Sequence, residues 1–254
     1  MTETTQPSIN RAITRSERER ALLKTERDAF RSLLTRVSEI QVDGVASPTV
    51  TTGGSTTVVQ PVTSRSSRHL RELRSAYRET VMAVPHYEAE YGESLRENLA
   101  AECGHSLARQ IVDGQSLTPT VYDGFVDACK RARDERERLG QYVDRERDSL
   151  ERYADRLDEI ESTAVEVGSR ISSAAYVSPP SRVDETLERL ESNCATLAKE
   201  RQEQLHSRSV AEIDGTEVEL LEYLYSDMET MTPVLGDVAT CLETIRHHRG
   251  RRHE

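Results

Sequence analysis

The sequence predicts an all-α protein: an elongated antiparallel helical bundle or coiled coil with a flexible linker after its first helix. Three observations lead there. First, stepping alternately by three and four from Tyr122 gives one seam: Tyr122, Phe125, Cys129, Ala132, Arg136, Leu139, Val143, Glu146, Leu150, Tyr153, Leu157, Ile160, Ala164 and Val167. Only Arg136 and Glu146 interrupt its apolar stripe, and a sustained 3.5-residue repeat needs a partner helix along most of its length. At 1.5 Å per residue the seam is about 70 Å long, more than a compact globule needs. Second, only 35% of residues are hydrophobic, 31% are charged and none is Trp. So thin a core suits facing helix stripes better than a thick α/β interior. Third, Gly44 to Ser64 carries no charge and is built mostly of Thr, Val, Ser, Gly and Pro, which reads as a linker.

These features divide the chain into an N-terminal charged helix (1–43), the linker (44–65), a helical bundle (66–249) containing the long helix 119–167, and a disordered tail (250–254). The first helix is expected from Ser8 to Ile40, with Ile9, Ile13, Leu23, Phe30, Leu34 and Val37 as its apolar positions and Asp43-Gly44 as its stop. A second helix, Ser66 to Val84, aligns Leu70, Leu73, Tyr77, Val81 and Val84 and is ended or kinked by Pro85. A third, Glu93 to Val112, aligns Leu95, Leu99, Cys103, Leu107 and Ile111. Gly104 weakens it by up to about 1 kcal/mol relative to Ala.

Thr118-Pro119 opens the long helix, with Thr at the N-cap and Pro at the first helical position. Gly168 to Ser178 reads as a small-residue loop, and Pro179-Pro180 starts a helix carrying Val183, Leu187, Leu190, Cys194 and Leu197 that fades near His206. The long helix and this one form a hairpin, and the N-terminal helix or a second chain covers the rest of the seam. A shorter helix follows Asp214-Gly215, and Thr232-Pro233 opens the last, with Val234, Val238, Cys241, Leu242 and Ile245 inward.

The charge balance speaks to setting. The formal net charge is −11, and three lysines (Lys24, Lys130, Lys199) stand against 31 arginines. An acid excess with almost no Lys is the composition of proteins that work in molar salt, where the Debye length falls to about 3 Å and repulsion among acids is screened. No run of 18 apolar residues is present, and Met1 to Ser8 lacks the basic and apolar regions of a secretory signal, so a cytoplasmic protein with no membrane span is expected. Cys103, Cys129, Cys194 and Cys241 are far apart in sequence and read as buried free thiols. The net charge disfavours nucleic acid. The basic tail Arg246 to His253 could touch phosphates, but that affinity collapses as salt rises.

Chemistry has few places to sit. Glu102–His105 and Glu203–His206 match the Glu-x-x-His spacing of di-iron bundles, yet chance supplies about one such match in a chain this rich in Glu. His86 and Glu90 share a helical face if Pro85 starts a new turn, so His86, Glu90 and His105 are the candidate metal ligands. Tyr77, Tyr87, Tyr91, Tyr223 and Tyr225 form a candidate ligand or partner patch, with the two aromatic segments expected to pack together. No nucleophile elbow and no phosphate-cradling glycine loop occurs, so no catalytic residue and no cofactor is predicted.

Two blocks are the most specific in the chain: Tyr77 to Tyr91, which includes Ala83-Val84-Pro85-His86-Tyr87, and Tyr223 to Leu235 with Thr232-Pro233. With the uncharged linker and the Leu117-Thr118-Pro119 helix start, they resemble a family of uncharacterised haloarchaeal proteins, a domain of unknown function. The resemblance implies the compartment and no assigned activity. The expected function is therefore a non-enzymatic cytoplasmic interaction or scaffold protein, with a protein partner or a homodimer joined through coiled-coil helices. The alternatives are a helical-bundle metal or small-ligand protein and an accessory of transcription or chromatin.

Overall fold

The computed structural model describes residues 6–40, 42, 63–172, 180–211 and 216–251. Among these the chain is all α, with no strand: α1 (Pro7–Ser38), α2 (Thr63–Thr80), α3 (Tyr87–Glu90), α4 (Leu95–Cys103), α5 (His105–Asp113), α6 (Pro119–Ser172), α7 (Pro180–Ala211), α8 (Thr216–Tyr225) and α9 (Pro233–Gly250), with a 3-10 turn at Val81–Ala83. No helix among the described residues is long and apolar enough to cross a membrane. The linker expected at 44–65 lies outside the described residues up to position 62, and α2 begins at Thr63. Of the tail, 252–254 lie outside them too, while Arg246 to Arg249 belong to α9.

The chain divides into two compact units, Ala21–Gly140 and Met1–Arg20 with Gln141–Glu254. In the first, Phe30, Leu33 and Val37 of α1 pack with Leu70, Leu73 and Tyr77 of α2, Leu99 of α4, Ile111 of α5, and Phe125 and Cys129 of α6. The Tyr77 and Phe125 rings meet at 6.2 Å between centroids, tilted by 55°. In the second, Ile9 and Ala12 of α1, Val143, Leu150 and Leu157 of α6, Leu187, Leu190 and Leu197 of α7, Leu224 of α8, and Val238 and Ile245 of α9 are buried. Both units therefore use the facing stripes that the 3-4 spacing requires.

Two glycines depart from the sequence reading, in opposite directions. The expected helix Glu93–Val112 is broken in two at Gly104, whose φ of 87° and ψ of 149° lie where only glycine sits without strain. Gly168, expected to end the long helix, lies inside α6, which runs on to Ser172. A Cβ there would stand 2.4 Å from Cε1 of the His248 ring on α9, so the residue is small to admit that ring. On α1, Ile9, Leu23, Phe30 and Val37 are buried as expected, and two positions differ by one residue. Ala12 and Leu33 are buried, where Ile13 and Leu34 were expected.

The start of α1 is held from outside. The buried carboxylate of Asp237, on α9, accepts from the Ile9 amide at 2.8 Å and the Ser8 amide at 3.3 Å. An anion at a helix N-terminus satisfies orphan N–H groups and complements the dipole. Gln6 adds hydrogen bonds from its side-chain nitrogen to the Ala154 carbonyl and to Asp158. The chain's own helices thus meet α6: α1 in both units, and α7 through Glu146–Arg201 and Arg156–Glu200.

Candidate functional site

The corner after α2 is assembled by local rules. Val84 takes the extended conformation that a following proline enforces (φ −63°, ψ 141°), which stops the 3-10 turn. Tyr87–Glu90 then makes a single helical turn, and Gly92 reverses the chain at φ 58°. Ser94 and Glu97 form a capping box that launches α4. The Tyr87 hydroxyl donates to the Glu93 carbonyl at 3.1 Å, and its ring lies 5.7 Å from that of Tyr91.

Around this corner the Ala21–Gly140 unit gathers its buried charges. Glu26 on α1 is the hub. One carboxylate oxygen accepts from His86 Nε2 at 3.0 Å and from the Tyr91 hydroxyl at 2.8 Å. The other accepts from Arg136 Nε at 3.1 Å. The two terminal nitrogens of Arg136 form a fork on Glu102 at 2.5 and 3.1 Å, and the guanidinium lies over the Phe30 ring, 5.2 Å from its centroid. Beside it, Tyr77 donates to Asn98 Oδ1 at 2.7 Å, and Asn98 donates to Glu93 at 2.9 Å. Burial pushes the Glu102 carboxyl above its usual range, against the pull of Arg136. Burial also works against the charged guanidinium of Arg136, but Glu102 and Glu26 outweigh it and hold its pKa above the ordinary arginine value. Burial raises the Tyr77 and Tyr91 phenols and brings Tyr87 to about 12, so all three stay protonated hydrogen-bond donors at neutral pH.

The space these groups leave is about 10 Å³, lined by Glu26, Phe30, Tyr87, Asn98, Glu102 and Arg136 among others. That is about one water molecule. Chemically the arrangement is a set of mutual donors and acceptors closed around a charge pair.

The second unit holds a counterpart. Arg201 on α7 and Glu146 on α6 have side chains only 2% and 1% exposed and pair at 2.5 Å. Tyr225 donates its hydroxyl to the same carboxylate oxygen. Arg201 also reaches Gln204 at 2.9 Å and Ser149 at 3.3 Å, and lies over the Tyr153 ring at 5.7 Å. Burial opposes its charge, yet Glu146 holds its pKa raised.

The residues singled out by sequence are distributed as follows. His86 pairs with Glu26, whereas Glu90 is exposed on the short helix α3 and His105 is exposed at the start of α5. Among the described residues no group of three or more His, Cys, Asp or Glu side chains is placed to hold a metal ion. Tyr77, Tyr87 and Tyr91 lie in the first unit, and Tyr223 and Tyr225 in the second. Sequence reasoning missed Glu26, Arg201 and Asp237, and met Glu102 only as half of a Glu-x-x-His match. A signal for two of them was present. Glu26 falls on the α1 stripe between Leu23 and Phe30, and Arg201 is the next step after Leu197 on the α7 stripe. A charge on an apolar stripe marks a buried pair.

An open groove of about 470 Å³ lies on the second unit, lined by Asn10, Arg11, Thr14, Arg15 and Arg18 of α1 with Asp227 and Met228. Arg15 is fixed there by Asp227 at 3.0 Å and by the Tyr223 carbonyl at 3.3 Å, and stacks over the Tyr223 ring at 5.8 Å. Tyr223 and Met231 are each 49% exposed.

Comparison with known proteins gives one family. Residues 8–249 match the one described as Domain of unknown function (DUF7260). No curated protein and no solved structure matches the chain.

Proposed function

We propose that this chain, which belongs to the DUF7260 family of unknown function, is a non-enzymatic helical interaction protein that docks a protein partner on the Arg11–Arg15–Arg18 groove. The observation that carries the reading is the composition of that surface. Arginine, tyrosine and methionine are the residue types enriched at protein interfaces, and here Arg11, Arg15, Arg18 and Met228 line one groove, with the Tyr223 ring against Arg15. Arg15 is already immobilised by Asp227 and by the Tyr223 carbonyl, so it loses little further freedom on binding. The charge cluster around Glu26 supports the same reading from the other side. Its groups answer one another, and about 10 Å³ of space admits no organic substrate.

The acid excess and the three lysines against 31 arginines support a haloarchaeal cytoplasm as the setting. Its molar salt would screen long-range steering, which leaves short-range packing and fixed hydrogen bonds to define the partner.

The test is affinity capture from a haloarchaeal lysate at molar salt, with wild-type bait run beside an Arg18→Glu/Tyr223→Ala variant. A stoichiometric partner held by the wild type and lost by a folded variant is the expected result. Recovery of bait alone, or equal recovery by both baits, overturns the proposal. Light scattering of the purified protein distinguishes a second copy of this chain from a different partner.

A further inference from the structure

Of the four cysteines, far apart in sequence, Cys103 at the end of α4 packs against the core cluster that contains Cys129 of α6. Cys194 of α7 and Cys241 of α9 stand with their sulfurs 3.8 Å apart, 0% and 1% exposed. Their helices also meet through Arg249, which pairs with Glu188 and Glu191. From the geometry we infer that Cys194 and Cys241 form a redox modification site: a dithiol that a peroxide converts reversibly to a disulfide joining α7 to α9.

Closing from 3.8 Å to the bond length of about 2.05 Å asks the sulfurs to approach by under 2 Å. Rotation of two short side chains between helices already in contact supplies much of that.

The chemistry balances with hydrogen peroxide as the oxidant. The Cys194 thiolate attacks one peroxide oxygen, the O–O bond breaks, and hydroxide leaves, taking up the proton that Cys194 lost to become water. Cys194 is then a sulfenic acid. Cys241 sulfur attacks the Cys194 sulfur, the S–O bond breaks, and the hydroxide leaving group takes the Cys241 proton as a second water. Two thiols and one peroxide give one disulfide and two waters. Either sulfur can take the first step, because Cys194 Sγ and Cys241 Sγ already share a hydrogen bond at 3.8 Å and whichever thiol is oxidised first has its resolving partner in place. Access requires a local opening of α9, the last helix of the chain, on the scale of sub-global fluctuations.

The consequence is mechanical. α9 also carries Asp237, which holds the start of α1, and Arg249, which bridges Glu188 and Glu191 of α7. A disulfide at Cys241 would fix the helix on which those contacts depend.

The test uses the full-length protein, exposed to hydrogen peroxide under native conditions, quenched with a maleimide and mapped by mass spectrometry. The expected result is a single cross-linked peptide containing Cys194 and Cys241, reversed by dithiothreitol. The thermal midpoint should rise on oxidation and fall back on reduction. That shift should be absent in Cys194→Ala and Cys241→Ala. Peptide mapping of the wild type stands on its own if either variant fails to fold. Cys194 and Cys241 remaining fully maleimide-reactive on later unfolding, oxidation confined to Cys103 and Cys129, or a link between two molecules would each overturn the inference.

Discussion

Replacing Arg201 with Met tests whether the Glu146–Arg201 pair is a compensated buried charge. The pair is 2% and 1% exposed, so its Coulomb attraction acts in low dielectric and its desolvation cost is large. Met fills much of the volume of the arginine stem and removes the cation. Glu146 then keeps the Tyr225 hydroxyl but loses the charge that its burial requires. Breaking such a pair costs about 3–5 kcal/mol, or a fall in thermal midpoint of roughly 6–20 °C in a chain of this size. The double variant Glu146→Leu/Arg201→Met removes both charges and both desolvation costs. It should fall within about 1–2 kcal/mol of wild type, or exceed it. Urea unfolding of the four members of the cycle reads this directly. A single variant costing less than about 1 kcal/mol would show that water reaches the pair. A double variant as unstable as the single would show that the pair contributes net stability, and the desolvation argument would fail.

Two further outcomes follow from named contacts. Gly168→Ala should push the His248 ring out of its place against α6, because a Cβ would stand 2.4 Å from Cε1. Burial holds the His248 pKa below its usual 6.5, so the displaced ring should titrate higher by NMR; an unchanged titration would mean that the ring stays put. His248 favours the neutral form in the fold, so its stability contribution is present above about 6.5 and is lost as pH falls through its lowered value. Glu102 has the opposite sign. Its folded pKa is raised above 4.5, so its contribution is full below that pH and is lost as pH rises through the raised value. Glu102→Gln should remove that slope from a plot of stability against pH, and persistence of the slope would assign it elsewhere.

Much of the fold was legible because the helices are stripes. The 3-4 spacing of Phe125, Leu150, Leu157 and Ala164 located the long helix, and these residues are buried. The glycines were not legible. Gly104 was read inside a helix and breaks it, while Gly168 was read as the start of a loop and lies inside α6. The backbone angle at Gly104 and the His248 ring against Gly168 are not encoded in the local pattern. The candidate site was half legible. The corner His86 to Tyr91 stood out by composition, but its partners Glu26, Glu102 and Arg136 come from three other helices. Choosing them requires the register of α1 and α4 against α6, which no single stripe contains.

The register of α7 shows how that choice is made physically. Cys194 and Arg201 are one heptad apart on its inner stripe, and each has a fixed partner: Cys241 for the first, Glu146 for the second. Sliding α7 by seven residues in one direction places Cys194 opposite Glu146. A buried carboxylate then faces a thiol in place of a guanidinium, a loss of several kcal/mol. Sliding it the other way brings Arg208 to Glu146 and keeps a cation there. That slip, however, moves Arg201 into the space of Cys194. Arg201 is the largest fully buried side chain among the described residues, and Cys194 occupies one of the smallest positions on the stripe. Overpacking a closed helix pair costs about 1–3 kcal/mol, and the slip also buries the Arg201 charge away from Glu146. Charge therefore excludes one slip and volume the other. An apolar residue at either position would leave one of the two alternatives open.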